Sequence, residues 1–190
     1  EGDGGFTLDN GLLRVVITSD GQLTSLVDAV TGRDAIAPGD RGNRLQLHRD
    51  IPNAWDAWDV DEHYRRSVQE IDGVEEIRLE SKPEEAAVVV VRSFGASRIE
   101  QRLALAAGSP SLEITNTIDW HERQKLLKLG FELDVHADRS AAEIQFGHVF
   151  RPTHTNTSWE FARFEICGHR FLYVGEPGYG VAVTNDSTYG

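Results

Sequence analysis

The residues of this chain best equipped for chemistry gather between Phe146 and Arg170. The stretch holds three of the seven histidines, His148, His154 and His169, together with Trp159 and the single cysteine, Cys167. Arg151, Arg163 and Arg170 stand there against only Glu160 and Glu165, so the segment is net positive in a chain of net charge −12. Two chemistries suit this inventory. Zinc takes three or four N, S or O ligands at close range. His148 and His154 are six residues apart, which is roughly 20 Å in extended chain, and their spacing matches no closed metal motif. Hydrogen bonding, to loop backbone or to a polyol, is the expected role. A sugar offers hydroxyls in fixed directions and an apolar C–H face. Arg151, His154, Asn156 and Trp159 supply donors, acceptors and a ring to stack on. The alternative places Trp159 in the core and pairs Arg151 with an acid, and composition does not choose between them.

A second constellation is Trp55-Asp56-Ala57-Trp58-Asp59. Two tryptophans beside two aspartates make a possible carbohydrate shelf; equally, one ring plugs the loop from below. The carboxylates of a glycosidase flank the scissile bond, about 5–5.5 Å apart for retention and about 6.5–9.5 Å for inversion. Spacing along a chain does not place Asp56 and Asp59 to that precision, so they are not read as an acid/base pair. His121-Glu122-Arg123-Gln124-Lys125 has Lys where a zincin needs its second histidine, and it sits among strands rather than on a helix. Cys167 reads as a small buried residue in a strand. Nucleophile-elbow and phosphate-loop motifs are absent.

The elements that must position these residues are strands. Leu12 to Ile17 and Leu23 to Val27 flank Asp20-Gly21, a hairpin signal because glycine accepts the positive φ of a type I′ turn. Thr31-Gly32 repeats the pattern before Ala35-Ile36, and Leu45 to His48 follows. Residues 53–66 mix aromatics with acids without a period and read as a structured loop. Strands resume at Val74–Glu80 and Ala86–Arg92, where Val88 to Val91 is β-branched throughout, as in a strand buried on both faces. Arg98 to Leu105 alternates with Arg98, Glu100 and Arg102 outward. Leu112 to Trp120 alternates with Leu112, Ile114, Ile118 and Trp120 inward. Leu126–Val135, Ile144–Val149, Phe161–Ile166, Phe171–Val174 and Tyr179–Thr184 complete the set. No amphipathic helix of three turns is present. Many short strands with Gly, Pro and Asp between them predict an all-β sandwich or barrel, with residues 1–190 as one domain.

The 190 residues, 39% hydrophobic and 26% charged, suffice for a buried core. The acidic balance argues against nucleic acid or an anionic membrane as partner. One cysteine forms no internal disulfide, which fits a reducing cytoplasm. No apolar run approaches the roughly 18 residues of a membrane span, and no signal peptide is seen. The chain has no methionine and closes just after an apolar strand, so a fragment of a longer protein is expected.

NGLLRVVITSDGQLTSLVDAVTGRD, NAWDAWDVDEHY, TIDWHERQKLLKLGF, IQFGHVFRPTHTNTSWEFARFEICGHR and YGVAVTNDSTYG resemble, in this order, the C-terminal β domain of α-mannosidases of glycoside hydrolase family 38, in particular the cytosolic and bacterial branch. The resemblance implies a large antiparallel sandwich of the galactose mutarotase-like kind in a cytoplasmic, bacterial protein. It implies a parent that is a zinc-dependent retaining exo-α-mannosidase, a possible homo-oligomer, with nucleophile and metal ligands in a preceding catalytic domain. This portion would then carry no catalytic residue, bind no metal, pack against that domain and meet a mannose-containing oligosaccharide. Arg151, His154, Asn156, Trp159, Trp55, Asp56 and Trp58 are the candidates for the pocket rim or the interface. Two other expectations stand beside this one: an autonomous carbohydrate-binding module using Trp55, Trp58 or Trp159, and a mutarotase-like epimerase using His148 or His154 with Glu165.

Overall fold

A computed structural model describes residues 4–56 and 58–186. Ala57 of the tryptophan-rich stretch and residues 187–190 of the closing motif lie outside them. The strands are β1 (Phe6–Asp9), β2 (Leu13–Ile17), β3 (Leu23–Asp28), β4 (Gly42–Arg49), β5 (Val68–Glu70), β6 (Glu76–Lys82), β7 (Glu85–Phe94), β8 (Ser97–Ala106), β9 (Glu113–Asp119), β10 (Lys125–Phe131), β11 (Arg139–Ile144), β12 (Gly147–Pro152), β13 (Phe171–Glu176) and β14 (Tyr179–Thr184). A single α-helical turn, α1 (Ser158–Phe161), and a 3-10 turn at Glu62–Arg66 are the helical pieces among the described residues. All strand pairs are antiparallel. The chain divides into two compact units, Glu1–Leu133 and Asp134–Gly190.

The first unit is a sandwich. One sheet runs β1-β2-β3-β4-β10 with β5 also on β4; the other runs β6-β7-β8-β9. Period two decides what faces inward. Leu8, Val15, Ile17 and Leu23 of the first sheet pack with Val88, Val90, Leu103 and Leu105 of the second. Leu45, Leu47, Ile71, Phe94 and Ile99 form a separate cluster. Between the two clusters the inward row of β7 places Arg92, and that of β8 places Gln101. Both are almost wholly buried, with Asn43 beside them. Arg92 Nη1 donates to Gln101 Oε1 (2.8 Å) and Nη2 donates to the Asp20 carbonyl. Gln101 Nε2 donates to Asn43 Oδ1 (3.1 Å) and Asn116 Oδ1 (2.8 Å), and Asn43 Nδ2 to the Gly21 carbonyl (2.8 Å). Burial lowers the Arg92 pKa, with Asp20 and Asp72 opposing.

Val88 to Val91 are buried on both faces, as expected. Val89 pairs with Arg78 and Arg102, and Val91 with Glu76 and Glu100. Arg78 meets Glu76 (2.9 Å) and Glu80 (3.5 Å), while Arg102 meets Glu80 (3.3 Å) and Glu85. This lattice shares the outer face of the sheet with Val89 and Val91, and long charged side chains can shield such apolar surface with their aliphatic stems.

Several expectations change. The Asp20-Gly21 turn is not type I′, which needs positive φ at both central residues; only Gly21 has it (+74°), and Gly21 N–H bonds the Thr18 carbonyl. Leu112, Ile114, Ile118 and Trp120 do share the inward face, since Ile118 pairs with buried Ile99 and the Trp120 ring meets buried Phe94 edge-on at 5.9 Å, but β9 is an edge strand and leaves Ile118 and Trp120 43% and 39% exposed. Ile144–Val149 is not one strand: it breaks at Phe146, which has φ +63° and joins β11 to β12 as a hairpin. Phe161–Ile166 is not a strand, since α1 begins at Ser158. Cys167 is therefore not in a strand core; it is exposed.

The second unit is one sheet, β12-β11-β13-β14. Ala141 pairs with Phe150 on one side and Tyr173 on the other, so the three side chains share a face.

Candidate functional site

The candidate residues fall on two loops, one in each unit. In the first unit, residues 50–67 follow β4. Buried Tyr64 anchors the loop: its ring meets His48 edge-on at 5.1 Å, and its hydroxyl accepts from Lys128 Nζ at 2.6 Å. Asn53 N–H donates to Asp61 Oδ2 (2.6 Å), and His63 Nε2 contacts the Ile51 carbonyl (3.1 Å). The Trp55 carbonyl accepts from the N–H groups of Trp58 (2.7 Å) and Asp59 (3.0 Å). Trp55 has φ +61°, a left-handed conformation that a bulky residue rarely takes. The result is two presented rings: Trp55 is 76% exposed and Trp58 92%. Neither is a plug. Asp56 and Asp59 are exposed beside them. Asp50 was not singled out from sequence. Its pKa is raised, first by burial and then by repulsion from Asp56 and Asp61, with His63 opposing. One of its oxygens is buried without a partner.

In the second unit the loop leaves β12 and turns through α1. Thr157 caps the turn reciprocally: its hydroxyl accepts from Glu160 N–H (3.3 Å), and Glu160 Oε2 accepts from Thr157 N–H (2.9 Å). His154 Nδ1 lies 3.3 Å from the same Glu160 Oε2. Desolvation would raise the Glu160 pKa, but the Thr157 N–H, the Thr157 hydroxyl and His154 together hold it below its ordinary value. Glu160 thus ties His154 to α1. The Thr-x-x-Glu spacing of a capping box was its signal in the sequence. Trp159 stands on this turn 78% exposed, so it is not core. Asn156 is exposed, and Arg151 is half-buried with Nη1 enclosed and without a hydrogen-bond partner among the described residues. His148 stacks edge-on against Phe150 at 5.1 Å, and His169 N–H bonds the Glu143 carbonyl (3.0 Å). Glu122 of the His121-Glu122 pair accepts from Ala96 N–H (2.9 Å) and Ser97 Oγ (3.0 Å), closing the β7–β8 turn.

Each loop thus joins exposed indole faces to carboxylates, amides or imidazole, the means of holding a polyol. Among the described residues no group of three or more His, Cys, Asp or Glu is placed to hold a metal ion. No described helix is long and apolar enough to cross a membrane.

The class these observations define is a nearly all-β, antiparallel protein with aromatic loops at its surface. A crystal structure of an α-mannosidase from Enterococcus faecalis V583 shares the fold, with TM-score 0.76 at 18% identity over 95% of this chain and 23% of that one. Residues 8–190 match the family described as "Glycosyl hydrolases family 38 C-terminal domain", and the chain belongs to that family. It is 42% identical to alpha-mannosidase 2C1 of Homo sapiens, over 100% of this chain and 19% of that protein. It is 34% identical to alpha-mannosidase G of Dictyostelium discoideum, over 100% and 18%. The chain spans about a fifth of the length of these relatives.

Proposed function

We propose that this chain is the β-sandwich portion of a cytoplasmic, retaining exo-α-mannosidase that releases terminal α-D-mannose. The single observation that carries this reading is similarity over the whole chain to proteins named as α-mannosidases, at 42% and 34% identity. In the retaining reaction one carboxylate attacks the anomeric carbon while a second acts as acid and then base. That pair, and the divalent metal, belong to another part of the same polypeptide. This portion packs against that part and presents Trp55, Asp56 and Trp58, or Arg151, His154, Asn156 and Trp159, at the rim of the sugar pocket. The test is hydrolysis of an aryl α-mannoside with zinc or cobalt added. The 190-residue chain is inactive and the full-length protein active; metal-dependent turnover by the chain alone would sink the reading.

The exposure of Trp55, Trp58 and Trp159 favours a second reading, an autonomous carbohydrate-binding module. Calorimetry with mannose and mannobiose separates the two. Binding by the chain that disappears in Trp159→Ala supports a module. No heat supports an interface role.

A further inference from the structure

Neither loop accounts for a cleft on the sheet of the second unit, about 370 Å³ in volume. It falls within the ~300–1,000 Å³ of small-molecule sites. Its floor is Ala141 and its walls are Phe150 and Tyr173, the two residues that flank Ala141 by strand register. Neighbouring strands lie about 4.8 Å apart, so the walls stand roughly 10 Å from each other across a methyl group.

The Tyr173 ring is held there by two glycines. Gly175 and Gly180 pair across β13 and β14. A methyl at either would fall 1.9 Å or 2.4 Å from the Tyr173 hydroxyl, so the ring lies over bare backbone. Both walls keep exposed surface, Phe150 at 54% and Tyr173 at 40%. One end of the cleft is polar. The Arg139 guanidinium lies 5.0 Å over the Phe150 ring and 3.8 Å from Asp138 Oδ1. Glu176 reaches the same end and accepts from His136 N–H at 2.8 Å.

We propose that this cleft binds one neutral pyranose, with a C–H face of the sugar against Phe150 or Tyr173 and its hydroxyls bonded by Asp138, Arg139 and Glu176. Two carboxylates at the polar end disfavour an anionic ligand. The facing aromatic walls suit a ring with an apolar face. Choosing mannose as that sugar rests on the α-mannoside reading above; the cleft itself does not.

The experiment is a titration of the ¹⁵N-labelled chain with methyl α-D-mannopyranoside, followed by amide shifts. The expected result is saturable movement at Ala141, Phe150 and Tyr173. Affinity falls at least about tenfold in Phe150→Ala and severalfold in Asp138→Asn, whose side chain is 86% exposed and outside the core. Silence at these amides, or affinity unchanged in both variants, overturns the site. Shifts confined to Trp55–Trp58 or His154–Trp159 overturn it too, while leaving the proposed function standing. If a glucoside or galactoside moves the cleft amides and the mannoside does not, the cleft stands and the choice of mannose falls.

Discussion

Replacing Gln101 with leucine tests how the sandwich core of the first unit is held. Gln101 is fully buried and serves as the hub between Arg92, Asn43 and Asn116. Without it the Arg92 guanidinium keeps only the Asp20 carbonyl, and its Nε already lacks a partner. A hydrogen bond to a charged group contributes about 1.5–3 kcal/mol and an orphaned buried acceptor costs about 1–3 kcal/mol, so losing the Arg92 bond and leaving Asn43 Oδ1 without its donor together destabilise by about 3–5 kcal/mol. Arg92→Met alone has a smaller cost. It removes the desolvated cation and strands the Asp20 carbonyl, a group worth about 1–3 kcal/mol when orphaned. Gln101 Oε1 still accepts from Asn43 Nδ2 at 3.3 Å. The double variant places two apolar side chains between two apolar clusters, so it is more stable than Gln101→Leu alone. The coupling is about 2–3 kcal/mol, within the range for contacting residues. Urea unfolding followed by far-UV circular dichroism measures this. With a slope near ~2 kcal/mol/M, Gln101→Leu lowers the midpoint by about 1.5–2.5 M. A single-variant loss below about 1 kcal/mol, or effects that simply add, would refute the view that a stranded arginine dominates.

Gly21→Ala pushes a methyl to 2.6 Å from Arg92 Nη2 and 2.8 Å from Val90, at φ +74°. It costs about 2–4 kcal/mol, whereas Gly32→Ala, at φ +71° with open space around it, costs only the ~1–2 kcal/mol of the backbone; the same unfolding assay compares them. Asp50 has a raised pKa, so protonation favours the folded state, and stability falls as pH rises from the unfolded value of 3.8 through the folded one. Asp50→Asn is therefore more stable than the parent near about pH 7, and the difference closes near about pH 3. Glu160 shows the opposite sign. Its lowered pKa stabilises the folded loop above 4.5, and that contribution disappears as pH falls through the folded value. Glu160→Gln speeds hydrogen exchange at the Phe161 amide, which donates to the Thr157 carbonyl, at neutral pH. The parent approaches the variant's rate in acid. Trp58→Ala leaves stability within about 0.5 kcal/mol, since the ring is 92% exposed.

Much of the fold was legible because strands alternate and turns need particular residues. Val88 to Val91, the Arg98–Glu100–Arg102 outward row and the strands after Phe171 stand where the pattern placed them. Of the candidate site, the polar and aromatic make-up of the loops was legible from composition and the Thr157–Glu160 cap was present in the spacing, but the exposure of Trp55, Trp58 and Trp159 was decided by the structure. Reading Phe161–Ile166 as a strand missed that cap, because a short apolar run does not by itself distinguish helix from strand. Asp50 could not be found from spacing: its shift comes from burial and from Asp56 and Asp61 brought close by the loop.

By itself the sequence determined the antiparallel all-β class and the polar and aromatic character of both loops. The physical reason is that alternation, β-branching and turn chemistry act over a few neighbouring residues. Tertiary structure alone decided which strands pair. It set β10 beside β4 and made β9 an edge. It also turned Arg92 inward against Gln101 and brought Phe150 and Tyr173 to either side of Ala141. These relations join residues tens of positions apart, and only the register of the sheets puts them in contact.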